Sequence, residues 1–426
     1  MTNNGKSLAE QYLANTDFEH WDWQNLVPFF EPMFQKEGFR DENTDGQQRI
    51  LLLMLVALGD MVLSTGFVRE VRRNNPKAYI TLLVSPIVYP LVSKCPYVNQ
   101  ILVLDKNLFY TDEKKFFAEL FQLCLEHFWT ERYDLSICPQ WGDDKTVPMT
   151  AAYLSGARKR LGYSCNVLSA YGFPLFSDDM EKSLLTDVFI IPRNIVHEAK
   201  RALCLLGLIG MTVEDDSMEL WYGKRESSAA EKLLSSLSDP GRILIAVGLG
   251  AGIGNRKYPA KQYAEVLKIL SRKYECSFVI LGGKSEQDEA AILQELLPSE
   301  TILCNLTGRT SVLETAAVLT KTDIYVGNNT GVMHMAAAVG LPVVMPSPEE
   351  DDFCGDLAGV FSLNQRFAPW QTNYVICCPD ERVGDCAGWL GYGGCKEQYS
   401  HCICQVKPDE IANAVEILLP NTRFAE

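Results

Sequence analysis

The nine-residue apolar run from Ile50 to Leu58, ended by Gly59-Asp60, most constrains the fold of this chain. An exposed strand would alternate polar and apolar residues, so an unbroken run predicts a central parallel strand covered on both faces. It is too short for a membrane span, which needs about 20 residues. Gly59-Asp60 then predicts a turn into a helix that runs to Arg73 and stops before Pro76. That turn places the Asp60 carboxylate at the C-terminal edge of a parallel sheet, where open α/β sheets bind ligands. The alternative reading of Asp60 is a structural acid in the first helical turn.

A second segment of the same kind lies some 270 residues later. Asp323–Val326 reads as a buried strand, Gly327-Asn328-Asn329-Thr330 as a polar turn, and Gly331 to Ala338 as a small-residue helix. A helix N-terminus presents unpaired N–H groups and a partial positive charge. Gly327 and Gly331 would let a phosphate approach that backbone, and Thr330 would either cap the helix or donate to a phosphate oxygen.

Strand and helix alternate through the remainder, which predicts parallel sheets with helices on both faces. The expected strands of a first domain are Ile50–Leu58, Ala78–Val84, Gln100–Leu104, Leu135–Cys138 and Phe189–Ile191. Residues 212–240 are polar and read as the connection, with a helix near Ser228–Leu237. The pattern restarts at Ile243–Val247 and continues through a helix at Ala260–Lys273, a strand at Ser277–Leu281 and a helix at Glu286–Leu297. A short strand near Thr301, the Asp323–Val326 strand, a strand at Leu341–Met345 and a last helix at Glu410–Leu419 complete it. The domains expected are therefore an N-terminal helical extension (1–46), a first Rossmann-like domain (47–222) and a second (223–426). The extension carries Trp21, Trp23, Phe29, Phe30 and Phe34, expected to pack on the first domain.

Composition narrows the class. With 47% apolar residues the chain is globular. A formal charge of −15 argues against general nucleic-acid binding. Two basic runs, Arg69/Arg72/Arg73/Lys77 and Arg158-Lys159-Arg160, read as solvated faces, with a peripheral membrane contact kept open. The polar, acidic N-terminus shows no signal peptide, and the expected location is cytoplasmic. Gly248-Leu249-Gly250 has Ile253 where a third glycine would stand, which argues against a dinucleotide-dependent oxidoreductase.

Several motifs together resemble glycosyltransferase family 9, the ADP-heptose:lipopolysaccharide heptosyltransferases. They are Leu58–Thr65, Tyr133–Ile137, Ser155–Tyr163, Gly250-Ala251, Arg256–Pro259, Leu281–Gly283 with Glu286, and Gly327–His334. The resemblance covers roughly residues 48–420. It implies the α/β GT-B architecture, two Rossmann-like domains facing a central cleft, with the first on the acceptor side and the second on the donor side. It implies an inverting transfer of a sugar, heptose by resemblance, from an ADP-heptose-like nucleotide-diphosphate donor to a cell-surface glycan or glycolipid at the inner face of the membrane. Asp60 is then the catalytic base, and Gly59, Arg69 and Arg158 fall on the acceptor side. The implied donor residues are Gly250, Arg256, Lys257, Glu286, Asn329, Thr330, Gly331 and His334. Arg256 stands where the family has a phosphate-binding lysine, with Lys257 as substitute; Glu286 would take the ribose hydroxyls. Asn329 departs from the family's aspartate. Two alternatives stay open: a non-catalytic nucleotide-sugar or glycan-binding protein of the same fold, and a heptosyltransferase acting on autotransporter proteins.

No cofactor is expected for catalysis, since no Asp-x-Asp motif follows a strand; Asp143-Asp144 and Asp351-Asp352 are the nearest acid pairs. Half of the 14 cysteines lie between Cys354 and Cys404. Their density suggests either a structural Zn²⁺ or iron, with Cys378, Cys386, Cys395 and Cys402 (or Cys404) as ligands, or a disulfide-stapled loop. Trp370, Trp389, Tyr392 and Tyr399 around them are candidates for an acceptor wall.

Overall fold

The computed structural model describes residues 3–39, 41, 46–140, 146–164, 178–192, 194–237, 239, 241–252, 256–349, 362–381, 383, 395, 397 and 399–419. The chain divides into two compact units, Met1–Asp216 and Ser217–Glu426. Among the described residues no helix is long and apolar enough to cross a membrane.

The first unit is built on six parallel strands. They are β1 (Arg49–Met54), β2 (Tyr79–Val84), β3 (Gln100–Val103), β4 (Leu135–Cys138), β5 (Lys159–Tyr163) and β6 (Asp187–Phe189), in the order β3-β2-β1-β4-β5-β6. Ile50 to Leu53 are fully buried, as a centrally placed strand requires. β1 is shorter than its apolar run: Leu58 opens a helix instead of closing the strand. The helix expected from Gly59 to Arg73 is two pieces, Leu58–Leu63 and Thr65–Asn74, joined at Ser64.

Two helices, Asn3–Asn15 and Trp23–Lys36, precede β1. Phe30 and Phe34 are fully buried in one core with Phe117, Phe121, Trp129 and Tyr153, and Trp21, Trp23 and Phe29 pack on its margin. Trp21 donates its indole N–H to the Tyr12 hydroxyl at 2.9 Å, so the polar end of each ring is satisfied where the ring body is buried.

The end of the first unit is tied to the helix Thr65–Asn74 by charge. Glu70, only 1% exposed, accepts from Arg73 Nε at 2.8 Å and from the Glu214 backbone N–H at 2.9 Å. Arg69 reaches Asp215 Oδ2 at 3.1 Å, and Arg73 reaches Glu214 at 2.7 Å and the Thr212 carbonyl. Arg72 donates to the carbonyls of Tyr97 and Ala78, each at 2.8 Å. The basic run on this helix is therefore an internal fastening. Burial raises the Glu70 pKa, but the Glu214 N–H and the Arg73 and Arg69 guanidinium groups outweigh it and hold the carboxyl below its usual value.

The second unit repeats the topology. Its strands are β7 (Ile243–Gly248), β8 (Cys276–Leu281), β9 (Leu303–Asn305), β10 (Ile324–Gly327), β11 (Val343–Pro346) and β12 (Tyr374–Cys377), all parallel in the order β12-β11-β10-β7-β8-β9. The helices Ala260–Lys273 and Pro408–Leu418 pack beside one another over this sheet, and Ile411, Ala414 and Val415 enter its core. The helix expected at Ser228–Leu237 is Lys224–Leu233, followed by a separate turn at Ser235–Leu237.

Candidate functional site

In each sheet the chain starts centrally, winds outward to one side, then returns to the other. The return point lies between β1 and β4 in the first unit and between β7 and β10 in the second. Loops diverge there beyond the carboxyl ends of adjacent strands, leaving the crevice in which doubly wound sheets bind ligands.

In the first unit the loop after β1 carries Gly59 and Asp60. Ala57 is the N-cap of the helix Leu58–Leu63, so Asp60 falls in its first turn, half-buried, where the helix dipole complements a carboxylate. Gln140, just past β4, donates to the Leu55 carbonyl at 3.2 Å and braces the loop that carries Asp60. The sequence reading did not single out Gln140, because the bond joins residues 85 apart in the chain. Arg69 sits instead against Asp215 and Glu70. Arg158 is half-buried just before β5. Its neighbour Arg160 is turned inward, donating to the Leu184 and Ala157 carbonyls at 2.8 and 2.9 Å.

In the second unit the structure gathers most of the expected donor residues at one sheet edge. Gly248 and Gly327 are paired across β7 and β10. The helix Gly331–Ala338 begins just beyond, with Thr330 as its N-cap. The His334 N–H makes the first helical bond, to the Thr330 carbonyl at 3.1 Å. By helix geometry, the N–H groups of Gly331, Val332 and Met333 have no intrahelical acceptor. Thr330 makes no side-chain capping bond. The space at Gly327 is used differently from the expectation: a Cβ there would lie 2.6 Å from the Tyr325 hydroxyl, so the glycine makes room for a phenol beneath the turn.

Asn328 holds this edge together. It is fully buried; its Oδ1 accepts from the Tyr258 backbone N–H and the Tyr263 hydroxyl, each at 3.0 Å, and its Nδ2 donates to the Leu249 carbonyl at 2.9 Å. One side chain thus joins the loops after β7 and β10 to the segment carrying Arg256 and Lys257. Its neighbour Asn329 is half-buried in the turn. The sequence showed an asparagine in a polar turn, but nothing there distinguished the residue facing inward from the one beside it.

Arg256 is half-buried two residues before Tyr258. Lys257 is not beside it in role, because its ammonium forms a part-buried ion pair with Glu289. Glu286 lies next to Gly250, whose Cβ would stand 3.5 Å from the Glu286 carboxyl carbon. The carboxylate also caps its own turn, accepting from the Gly283 N–H and the Ser285 hydroxyl, each at 2.7 Å. A carboxylate has about four acceptor positions, so both expected roles of Glu286 are compatible. His334 is 2% exposed, its ring 6.4 Å from that of Phe367.

The cysteine-rich segment begins at a strand the sequence reading missed, β12, which ends at Cys377. Burial pushes the Cys377 thiol up to about 12. Cys378 accepts from Asn364 Nδ2 at 3.5 Å, Cys395 lies 3.5 Å from His401 Nδ1, and Cys402 donates to the Val383 carbonyl at 3.8 Å. Among the described residues, no group of three or more His, Cys, Asp or Glu side chains converges as a metal site. Cys354, Cys386, Trp389, Tyr392 and the acid pairs Asp143-Asp144 and Asp351-Asp352 lie outside the described residues. A cavity of about 230 Å³ adjoins Cys378, Asp380, Glu381, Lys407 and Glu410. It lies by the edge strand β12, not at the return point.

Two Rossmann-like parallel sheets, one return point carrying an acid and the other a glycine-lined helix N-terminus with a nearby arginine, define the GT-B class of α/β glycosyltransferases. Residues 205–345 match the model of glycosyltransferase family 9 (heptosyltransferase). The chain is 26% identical over 327 residues to lipopolysaccharide heptosyltransferase 2 of Escherichia coli K12, covering 73% of this chain and 86% of that protein. The Salmonella typhimurium protein of the same name is 25% identical over 326 residues, with the same coverage. The fold matches that of a family 9 glycosyltransferase from Veillonella parvula, with a TM-score of 0.67 at 18% identity over 88% of this chain and 99% of that one. The chain is similar to glycosyltransferase family 9 and is a glycosyltransferase.

Proposed function

We propose that this protein is an inverting heptosyltransferase that uses an ADP-heptose-like donor and a glycan acceptor of the lipopolysaccharide-core type. The observation that carries the reading is the similarity to lipopolysaccharide heptosyltransferase 2 across 73% of the chain. The second unit's return point agrees with it, offering backbone N–H groups and a cation, the donors a diphosphate needs.

In this reading Asp60 accepts the proton of the acceptor hydroxyl as its oxygen attacks the anomeric carbon. The bond from that carbon to the diphosphate breaks in the same step, inverting the configuration. The leaving charge is taken up by Arg256, Thr330 and the N–H groups that open the helix Gly331–Ala338. Glu286 accepts from the ribose hydroxyls while keeping its cap. Gly250 leaves room beside it, and Asn329 faces the donor without the charge of an aspartate. His334 stands beside the phosphate site, one helical turn past Thr330. Gly59 and Arg158 belong to the acceptor side; Arg69 acts there by fixing the helix behind Asp60. The reaction takes place at the cytoplasmic face of the membrane bearing a lipid-linked acceptor. The cysteine-rich segment, whether or not it takes up Zn²⁺ or iron, is structural.

The test is release of nucleoside diphosphate from a panel of nucleotide sugars, with and without a lipopolysaccharide-derived acceptor, for wild type and Asp60→Ala, with EDTA in parallel. Acceptor-dependent release of ADP from ADP-heptose, lost in Asp60→Ala and retained in EDTA, is expected. Tight donor binding without turnover on any acceptor would move the assignment to a binding protein. Failure to bind any nucleotide sugar would remove the donor site.

A further inference from the structure

Tyr325 has no part in the site so far described, yet it lies beneath it. It stands between Ile324 and Val326 on β10, where a strand covered on both faces ordinarily carries aliphatic residues. Its side chain is fully buried, and its hydroxyl makes no hydrogen bond among the described residues. Such a buried hydroxyl costs about 1–3 kcal/mol, a cost that phenylalanine would avoid.

The backbone is shaped to hold this phenol at the carboxyl edge of the sheet. A Cβ on Gly248 would lie 1.8 Å from the Tyr325 oxygen, and one on Gly327 would lie 2.6 Å from it. These two glycines face each other in register at the ends of β7 and β10. Together they form a slot that places the hydroxyl under the Gly327–Thr330 turn. Burial drives the phenol's pKa well above its ordinary value, and the neighbouring Thr330 side chain acts in the opposite direction. Thr330 itself makes no cap bond with the helix it precedes.

We propose that Tyr325 is a positioning residue for the anionic end of the ligand: as an anion oxygen seats on the N-terminus of the helix Gly331–Ala338, the phenol, unpaired until then, donates to Thr330 Oγ and so directs the Thr330 hydrogen outward to that oxygen. A threonine hydroxyl is one donor and an acceptor, and occupying its acceptor side from below leaves its hydrogen to the ligand. A buried hydroxyl that gains its partner only as the ligand seats relieves the cost of its unpaired state on binding. The ligand class is a terminal phosphate of a nucleoside diphosphate, so this inference rests on the donor-site reading above.

The experiment is calorimetric titration of the full-length protein with ADP, beside thermal unfolding and steady-state kinetics, for Tyr325→Phe, Thr330→Val, the double variant and Arg256→Ala. Tyr325→Phe is expected to weaken ADP binding about 3- to 10-fold, the size of one hydrogen bond. It should raise donor KM in proportion, leave kcat nearly unchanged, and keep or raise Tm because an unpaired hydroxyl has gone. Thr330→Val should weaken ADP at least as much, and adding Tyr325→Phe to it should cost nothing further. Thr330→Ser, which keeps the hydroxyl, should retain wild-type affinity. The inference is overturned if Tyr325→Phe binds ADP as wild type does while Arg256→Ala and Thr330→Val are weakened. It is equally overturned if Tyr325→Phe costs the same with or without Thr330. Wild-type ADP binding by Arg256→Ala and Thr330→Val together would overturn the donor-site reading instead.

Discussion

The two units share one strand order and differ at the point where that order turns back. Beside β1 the first unit presents a short helix with a carboxylate, Asp60, in its first turn and an amide brace from Gln140. Beside β7 the second unit presents paired glycines, a helix N-terminus without a side-chain cap, and a loop carrying Arg256 pinned through Asn328. In the proposed reading the same topology yields an edge that accepts a proton and another that holds an anion. Topology fixes where a site can be, and a few residues at the strand ends fix its sign of charge.

The largest expected effect tests the first edge. Asp60→Ala should lower kcat by about 10²- to 10⁴-fold, as loss of a general base does, while ADP binds unchanged by calorimetry. A comparable loss of ADP affinity would show that the two edges do not divide the labour in this way. For the second edge, Arg256→Ala should weaken ADP by about 10- to 100-fold, with Arg256→Lys recovering part of it, since a charged donor is replaced by a point charge.

Asn328→Ala sharpens the comparison by separating the brace from the contact. It leaves the Tyr258 N–H and the Leu249 carbonyl without their buried partner and should destabilise the protein by about 2–4 kcal/mol in urea unfolding. It should also weaken ADP binding, although the side chain is fully buried. Unchanged stability would mean that the three loops are held by other contacts.

A smaller effect belongs to the fastening behind Asp60. The folded-state pKa of Glu70 is depressed, so its stabilisation is fully present above the unfolded value of about 4.3 and is lost as pH falls through the lowered folded value. Urea midpoints measured from pH 6 downward should fall across that window for wild type, with a flatter acid limb for Glu70→Gln. Parallel curves would remove the linkage. The smallest effect is at Glu286, where the amide of Glu286→Gln keeps one acceptor for the cap. ADP affinity should drop about 3-fold, and an affinity unchanged within error would leave Glu286 with its capping role alone.

The parallel α/β class was legible because long apolar runs ended by glycine-containing turns have few other solutions. β1, β4 and the helix Ala260–Lys273 lie close to where their hydrophobic patterns put them. β5 escaped notice because Arg158-Lys159-Arg160 reads as a solvated run; in the structure Arg160 turns inward and finds two carbonyls. β12 was hidden by the cysteines around it. Asp60, Gly331 and Thr330 were visible as residues of the right chemistry after a strand. The internal partners of Arg69 and Lys257 were not, because Asp215 and Glu289 are far away in the chain.

The sequence by itself determined the periods, the strand ends and the stock of ionisable groups, since these depend on neighbours along the chain. Tertiary structure alone decided which of two adjacent asparagines is a buried clamp, which arginines meet carboxylates inside the protein, and that a tyrosine fills the space two glycines leave. Hydrogen bonds and ion pairs are selected by distances of about 3 Å in space. Those distances exist only after the sheets have brought residues 65 to 146 positions apart into contact.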